Sequence, residues 1–329
     1  MCAQRRLRHR TERWTLLDPF VIAGLVQADT ELIVVEISAG DRVGRGECER
    51  DDLLVPGAPG VIAEIERARP AIERGAGRED LLGLLQPGPA RSAIDCALWD
   101  LESKLRGEPA WSLAGVPEPR PVATAYTLRA APPAKMAEDA RRNADRPLLK
   151  LKLDGASAGA CIEAVRAAAP AATLIADANG SLNEAALPDV LAACERHRVA
   201  MLEQPLPRGR DGALAAIERR IPLCADESFH DRGNLRDVLG NYDFVNVKLD
   251  KTGGLTEALR AIGAAKHEGL RIMVGCMLGT SLAMAPAFLL AALAEHVDLD
   301  GPLMLGADRP GGMRYERSTL YPPEPEFWG

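Results

Sequence analysis

The chain reads as an α/β protein: a (β/α)8 barrel of the TIM type, with an α+β capping domain ahead of it. Two observations predict this. From Pro121 onward, eight short β-type runs alternate with segments that are mostly alanine-rich and helical, the rhythm of parallel strands joined by crossover helices. Before about Pro119 the order differs, with long β-type runs first and helices after them. The 329 residues then divide into a capping domain over 1–119 and a barrel over 120–310, with a tail over 311–329 expected to pack back on the cap.

In chain order, the runs between Leu7 and Glu49, such as ELIVVEIS (Glu31–Ser38), alternate or stay apolar as strands do. RSAIDCALWDLESKLRG (Arg91–Gly107) is a helix, because Ile94, Leu98, Leu101 and Leu105 recur at helical spacing and Gly107 can cap its end. The barrel strands are expected at VATAYTL (Val122–Leu128), LLKLKL (Leu148–Leu153), TLIAD (Thr173–Asp177) and VAMLE (Val199–Glu203). The other four are PLCAD (Pro222–Asp226), DFVNVK (Asp243–Lys248), RIMVGC (Arg271–Cys276) and VDLD (Val297–Asp300).

Composition narrows the function. A net charge of −7 gives no positive surface for a nucleic acid or an anionic membrane. The basic run RRLRHR (Arg5–Arg10) fits one solvated strand face, and Asp18 and Pro19 break the apolar stretch that a signal peptide or membrane span would need. Seven scattered cysteines with no CxxC pair suit a reducing, cytoplasmic compartment and no structural zinc.

Active sites of such barrels lie at the C-terminal ends of the strands, so the last residues of each run are the test. Run two carries Lys150 and Lys152, which share one face of the strand. Runs three, four and five end on Asp177, Glu203 and Asp226, runs six and seven on Lys248 and Cys276, and run eight on Asp298 and Asp300. The three acids are 26 and 23 residues apart, one βα unit each, so they converge from neighbouring strands. Three such anions need a cation, and an all-oxygen set suits Mg2+ or Mn2+. Lys150, Lys152 and Lys248 then flank that ion from opposite sides, with pKa values expected to be lowered by the surrounding cations. Two bases facing each other across a metal-bound carboxylate can take an α-proton from one face and return one to the other, which is racemisation or epimerisation.

The motifs KLK (Lys150–Lys152), DAN (Asp177–Asn179), EQP (Glu203–Pro205), DES (Asp226–Ser228) and KLDKTGG (Lys248–Gly254) resemble those of the enolase superfamily, in its muconate-lactonising subgroup. CMLGTS (Cys276–Ser281) and DLDGP (Asp298–Pro302) are similar to the dipeptide epimerases within it, which act on substrates such as L-Ala-D/L-Glu. The resemblance implies one Mg2+ per subunit on Asp177, Glu203 and Asp226, with Lys152 and Lys248 as the acid/base pair and Lys150 on the substrate carboxylate. It also implies Asp298 and Asp300 on the α-ammonium of a dipeptide, Thr127 and Cys276 lining the pocket, and a homo-oligomer. Lys251 is the rival to Lys248, but counting by two places it in the turn beyond the strand. The same lysines and metal also serve muconate cycloisomerase, o-succinylbenzoate synthase and N-acylamino acid racemase, from which only DLD separates this chain. One departure stands out: glutamate-specific members carry an arginine in the capping loop, and here FVIAGLVQADTE (Phe20–Glu31) has none. Arg42, Arg45 and Arg50 are the nearby substitutes. The acids Glu49, Asp51 and Asp52 in CERDDLLVPG (Cys48–Gly57) hint instead at a neutral or cationic C-terminal residue.

Overall fold

The computed structural model describes residues 4–22, 25–50, 60–155 and 157–329, with the backbone alone at 20–22 and 25–27. Strands β1 (Arg5–Ile22), β2 (Leu25–Ala39) and β3 (Arg42–Glu49) form an antiparallel sheet. Leu32, Ile33, Val34 and Val35 are all fully buried, which explains the unbroken apolar run in the middle of β2. Ile33, Val35 and Ile37 pack with Leu7 against Ile65 and Ile72 of helix α1 (Val61–Glu73). Helix α2 (Arg78–Leu84) adds Leu81 to this core, and helix α3 (Pro89–Arg106) adds Ile94, Leu98 and Leu101. Pro89 starts α3 two residues earlier than expected, and Gly107 ends it in the left-handed region, at φ 63°.

Strand β3 lies almost on the backbone of α3. A Cβ at Gly44 would stand 2.1 Å from the carbonyl oxygen of Ala97, and one at Gly46 2.1 Å from that of Ala93. Gly46→Ala is therefore expected to cost about 3 kcal/mol, since the two backbones must separate. Urea unfolding checks this: the midpoint falls at an unchanged slope, whereas an unmoved midpoint contradicts the close packing.

The barrel strands run from Tyr126 to Val297. Val122–Ala123 is β4, and the barrel strands are β5 (Tyr126–Leu128), β6 (Leu148–Lys152), β7 (Thr173–Asp177) and β8 (Val199–Glu203). They continue as β9 (Leu223–Ala225), β10 (Phe244–Val247), β11 (Arg271–Val274) and β12 (His296–Val297). These eight, β5 to β12, are hydrogen-bonded in sequence order, and Ala125 N donates to Val297 O at 2.8 Å to join last to first.

Two expected runs are corrected. VATAYTL is not one strand: Val122–Ala123 pairs with β14 (Thr319–Leu320), which pairs with β13 (Tyr315–Glu316), and the chain turns into the barrel only afterwards. In VDLD the strand stops at Val297, and Asp300 caps the short helix Gly301–Met304. Asp298 and Asp300 thus do not share a strand face. At the C-terminus, Trp328 donates from its indole to Arg45 O at 3.0 Å, and Gly329 N donates to Asp100 Oδ1 at 2.9 Å.

The cap and the barrel meet behind the sixth strand. Arg91 donates to the carbonyls of Thr252 and Gly253 at 2.6 and 3.1 Å, and Asp95 accepts from Thr256 N and Oγ1 at 2.9 and 2.6 Å. Gly254 has φ 109°, and a Cβ there would meet Asp95 at 2.4 Å. This grip holds the turn that follows Lys248 and Lys251.

Candidate active site

Counting by two along the strands builds the site. Ala125, Leu148, Ile175, Met201, Cys224, Phe244 and Met273 form a buried apolar layer inside the barrel. Two residues further toward the mouth, the same inward positions hold Thr127, Lys150, Asp177, Glu203, Asp226 and Asn246. Another two bring Lys152 on β6 and Lys248 just beyond β10. One apolar floor therefore carries a tier of charge.

The ligand oxygens of Asp177, Glu203 and Asp226 lie within 4.8 Å of one another, and all three residues are buried. Oxygens around an octahedral Mg2+ stand about 3 to 4.2 Å apart, so small rotations close the set. Hard oxygen donors with no nitrogen or sulfur among them fit a divalent cation of that kind. The lysines reach the same oxygens. Lys150 Nζ is 2.8 Å from Glu203 Oε2, 2.8 Å from Asp298 Oδ2 and 3.1 Å from Asp177 Oδ2. Lys152 Nζ donates to Asp177 Oδ2 at 2.6 Å and to Asn179 Oδ1 at 2.9 Å, and Lys248 Nζ to Asp226 Oδ2 at 2.7 Å.

Burial would raise Asp226, yet the ammoniums of Lys248, Lys251 and Lys150 outweigh it and hold the carboxyl well below its ordinary range. Burial raises Asp177 too, but Lys152 and Lys150 bring it to about 2. Glu203 goes the other way, to about 7, through burial and the neighbouring Asp177 charge. The lowered lysine pKa values expected from sequence are not found for Lys150 and Lys248. Burial would depress both, but the facing carboxylates, chiefly Asp298 for Lys150 and Asp226 for Lys248, win and raise them. Lys251 is lowered, by burial first.

Asp298 and Asp300 are each 5% exposed. Asp298 reaches Lys150, and its Oδ1 accepts no hydrogen bond among the described residues. Asp300 Oδ2 accepts from Thr127 N at 2.7 Å, and burial together with Asp298 pushes its carboxyl up to about 7. The two acids thus meet at the mouth although they leave the strand. Thr127 is buried beneath them, and the Cys276 thiol is raised by burial and by these same two carboxylates.

Lys251, the rival candidate, reaches the site, and two residues that the run ends did not single out join it. Lys251 sits in the one-turn helix Leu249–Thr252, yet its ammonium folds under Asp226, 2.5 Å from Oδ1 and 3.1 Å from Asn246 O. Asn246 donates to Glu203 Oε1 at 2.7 Å, and its position two before Lys248 was the signal for it. Gln204 accepts from Asp226 N and Ser228 N at 2.9 and 3.1 Å while its own φ is 34°, so a left-handed residue sets the backbone of the next ligand. Of the arginine substitutes, Arg45 stacks 5.3 Å over the Phe327 ring and Arg42 sits at the far β2–β3 turn, both away from the mouth. Arg50 pairs with Glu31 at 2.7 Å. Asp51, Asp52 and Ala23–Gly24 lie outside the described residues.

A divalent ion on these acids is expected to stabilise the fold, because it binds the native arrangement alone. At about 100-fold over its Kd, the melting midpoint should rise by about 5 °C. Glu203→Gln should remove the rise in a thermal melt. A rise that persists there would place the ion elsewhere.

Comparison with known proteins gives the same frame. The family model "Enolase C-terminal domain-like" matches residues 135–315. The L-Ala-D/L-Glu epimerase of Escherichia coli K12 is 40% identical over 312 residues, 94% of this chain and 97% of that one. A crystal structure of an enolase family member from Agrobacterium tumefaciens, with homology to dipeptide epimerases and with bound sodium and L-Ala-L-Glu, is 44% identical at a TM-score of 0.95. The match covers 99% of this chain and 100% of that one. The dipeptide epimerase of Enterococcus faecalis, solved with Mg and L-Leu-L-Tyr, is 26% identical at a TM-score of 0.88, covering 98% and 97%. The chain belongs to the enolase superfamily, among its dipeptide epimerases, and is an isomerase.

Proposed function

We propose that this protein inverts the α-carbon of the C-terminal residue of a dipeptide by 1,1-proton transfer, with Lys152 and Lys248 as the two acid/base groups. One observation carries the reading. The two lysines stand on the second and sixth of eight barrel strands, diametrically opposed, with three convergent carboxylates between them. One Mg2+ per subunit, or Mn2+ in its place, on Asp177, Glu203 and Asp226 supplies positive charge against the charge that develops on the substrate carboxylate.

The chain's own groups do the rest. Lys150 binds the substrate carboxylate, and Asp298 and Asp300 receive the α-ammonium of the N-terminal residue. Lys152 takes the α-proton on one face while Lys248 gives one on the other. In the reverse direction the roles exchange. Thr127 and Cys276 shape the pocket wall. The six described cysteines are all free, which suits a reducing cytoplasm, and among the described residues no helix is long and apolar enough to cross a membrane. The resemblance extends to a homo-oligomer, which sedimentation would test.

The experiment is to incubate L,L-dipeptides with the protein and Mg2+ and to separate the diastereomers by chromatography. An L,D product that vanishes on chelation supports the reading. No inversion in any dipeptide, with the metal bound, would favour the cycloisomerase, synthase or N-acylamino acid racemase chemistry instead.

A further inference from the structure

We propose that Arg129 is the residue that reads the side chain of the substrate, binding the side-chain carboxylate of an acidic C-terminal residue. This rests on the dipeptide reading above and adds to it which side chain the site selects. Arg129 lies immediately after β5, the first barrel strand. Ala125 belongs to the innermost apolar layer, and Thr127, two residues on, pairs with Lys150 of β6. Two further residues put Arg129 level with Lys152, on the same inward face of the adjacent strand. Neighbouring strands are about 4.8 Å apart. The Arg129 backbone therefore stands beside a proposed base, at the rim of the barrel mouth.

Its surroundings fit that task. The Arg129 side chain is 24% exposed, and Nη1 donates to Asp18 Oδ2 at 2.8 Å while Nη2 meets Met304 Sδ at 3.6 Å. Asp18 sits on the outer reach of β1, and Met304 ends the short helix that Asp300 caps. The fork thus spans from the capping hairpin to the loop that carries the ammonium site. Asp18 is 74% exposed, and an ion pair to so exposed a partner is weak and readily exchanged for another carboxylate. A planar guanidinium takes such a carboxylate in bidentate fashion. The capping segment Phe20–Glu31 holds no arginine, and Arg42 and Arg45 lie away from the mouth. Arg129 is the arginine that the first strand itself delivers there.

The test compares L-Ala-L-Glu with L-Ala-L-Leu as substrates for the wild type, Arg129→Gln, Arg129→Lys and Asp18→Asn, in Mg2+. In Arg129→Gln the ratio of kcat/KM for the glutamyl over the leucyl dipeptide should fall about 100-fold, mostly through KM, and Arg129→Lys should restore part of it. Asp18→Asn, which removes the competing carboxylate, should lower KM for L-Ala-L-Glu. A role limited to anchoring the hairpin would lower both substrates equally in Arg129→Gln and would raise KM in Asp18→Asn, and either result overturns the proposal. So does a wild type that prefers the leucyl dipeptide with an Arg129→Gln profile like its own. A wild type that turns over no dipeptide overturns the parent reading, and the proposal with it.

Discussion

Lys152→Ala and Lys248→Ala are each expected to lower epimerisation by about 10³-fold or more, the loss of one general acid/base in a reaction that needs two. The two variants should not behave alike toward solvent exchange. With Lys152 gone, Lys248 can still exchange the α-proton of the epimer that presents it to that side, and the reverse holds in Lys248→Ala. Each variant should therefore label one epimer and not the other. The geometry makes this sharp, because Lys152 leans on Asp177 and Lys248 on Asp226, separate acids on separate strands. Chiral chromatography and mass spectrometry of each pure epimer read both effects. Equal labelling of both epimers by either variant would contradict the assignment of one base to each face.

The second large effect belongs to Asp298 and Asp300. The double Asn variant is expected to lower dipeptide turnover by about 10³-fold while leaving Mg2+ binding in place, since truncating a buried charge partner costs several kcal/mol. The reason is electrostatic. Burial and the Asp298 charge push Asp300 up to about 7, so the pair is destabilised as two anions and is relieved by an incoming ammonium. Lys150 already serves Asp298 on one oxygen, and the other accepts no hydrogen bond among the described residues. Steady-state rates with a dipeptide and the metal-induced melting shift, measured on the same sample, separate the two functions. Undiminished dipeptide turnover would remove the reason to prefer a dipeptide over an N-acylated amino acid.

Much of this site was legible because a strand repeats every two residues. Lys150 and Lys152 had to share a face, and one run end after another carried a charge, which brought out the three acids and the flanking lysines; the choice of Lys152 and Lys248 as the bases came from the resemblance. The same rule puts Lys251 beyond the strand, as found, but does not show its ammonium returning to Asp226. Its path back to Asp226 runs through the one-turn helix Leu249–Thr252, whose turn is held by Arg91 and Asp95 of a helix more than 150 residues away in sequence. A local pattern carries no record of such a contact. The split of VATAYTL has a similar origin: Val122–Ala123 is claimed by the C-terminal hairpin, and β-propensity does not name a partner. The raised pKa values of Lys150 and Lys248 were not legible either, because each ammonium stands against a carboxylate that another element delivers, Asp298 for Lys150 and Asp226 for Lys248. Arg129 was not legible, because the β-type run VATAYTL ends at Leu128 and the next inward position lies beyond it.

The central claim is proton transfer at an α-carbon, and deuterium tests it most directly. The protein is incubated with Mg2+ and pooled L,L-dipeptides in D2O, and the dipeptides are then weighed by mass spectrometry. A gain of about one mass unit per molecule is expected, located at the α-carbon of the C-terminal residue and lost when the metal is chelated. No gain in any dipeptide, from protein shown to bind the metal, would contradict it.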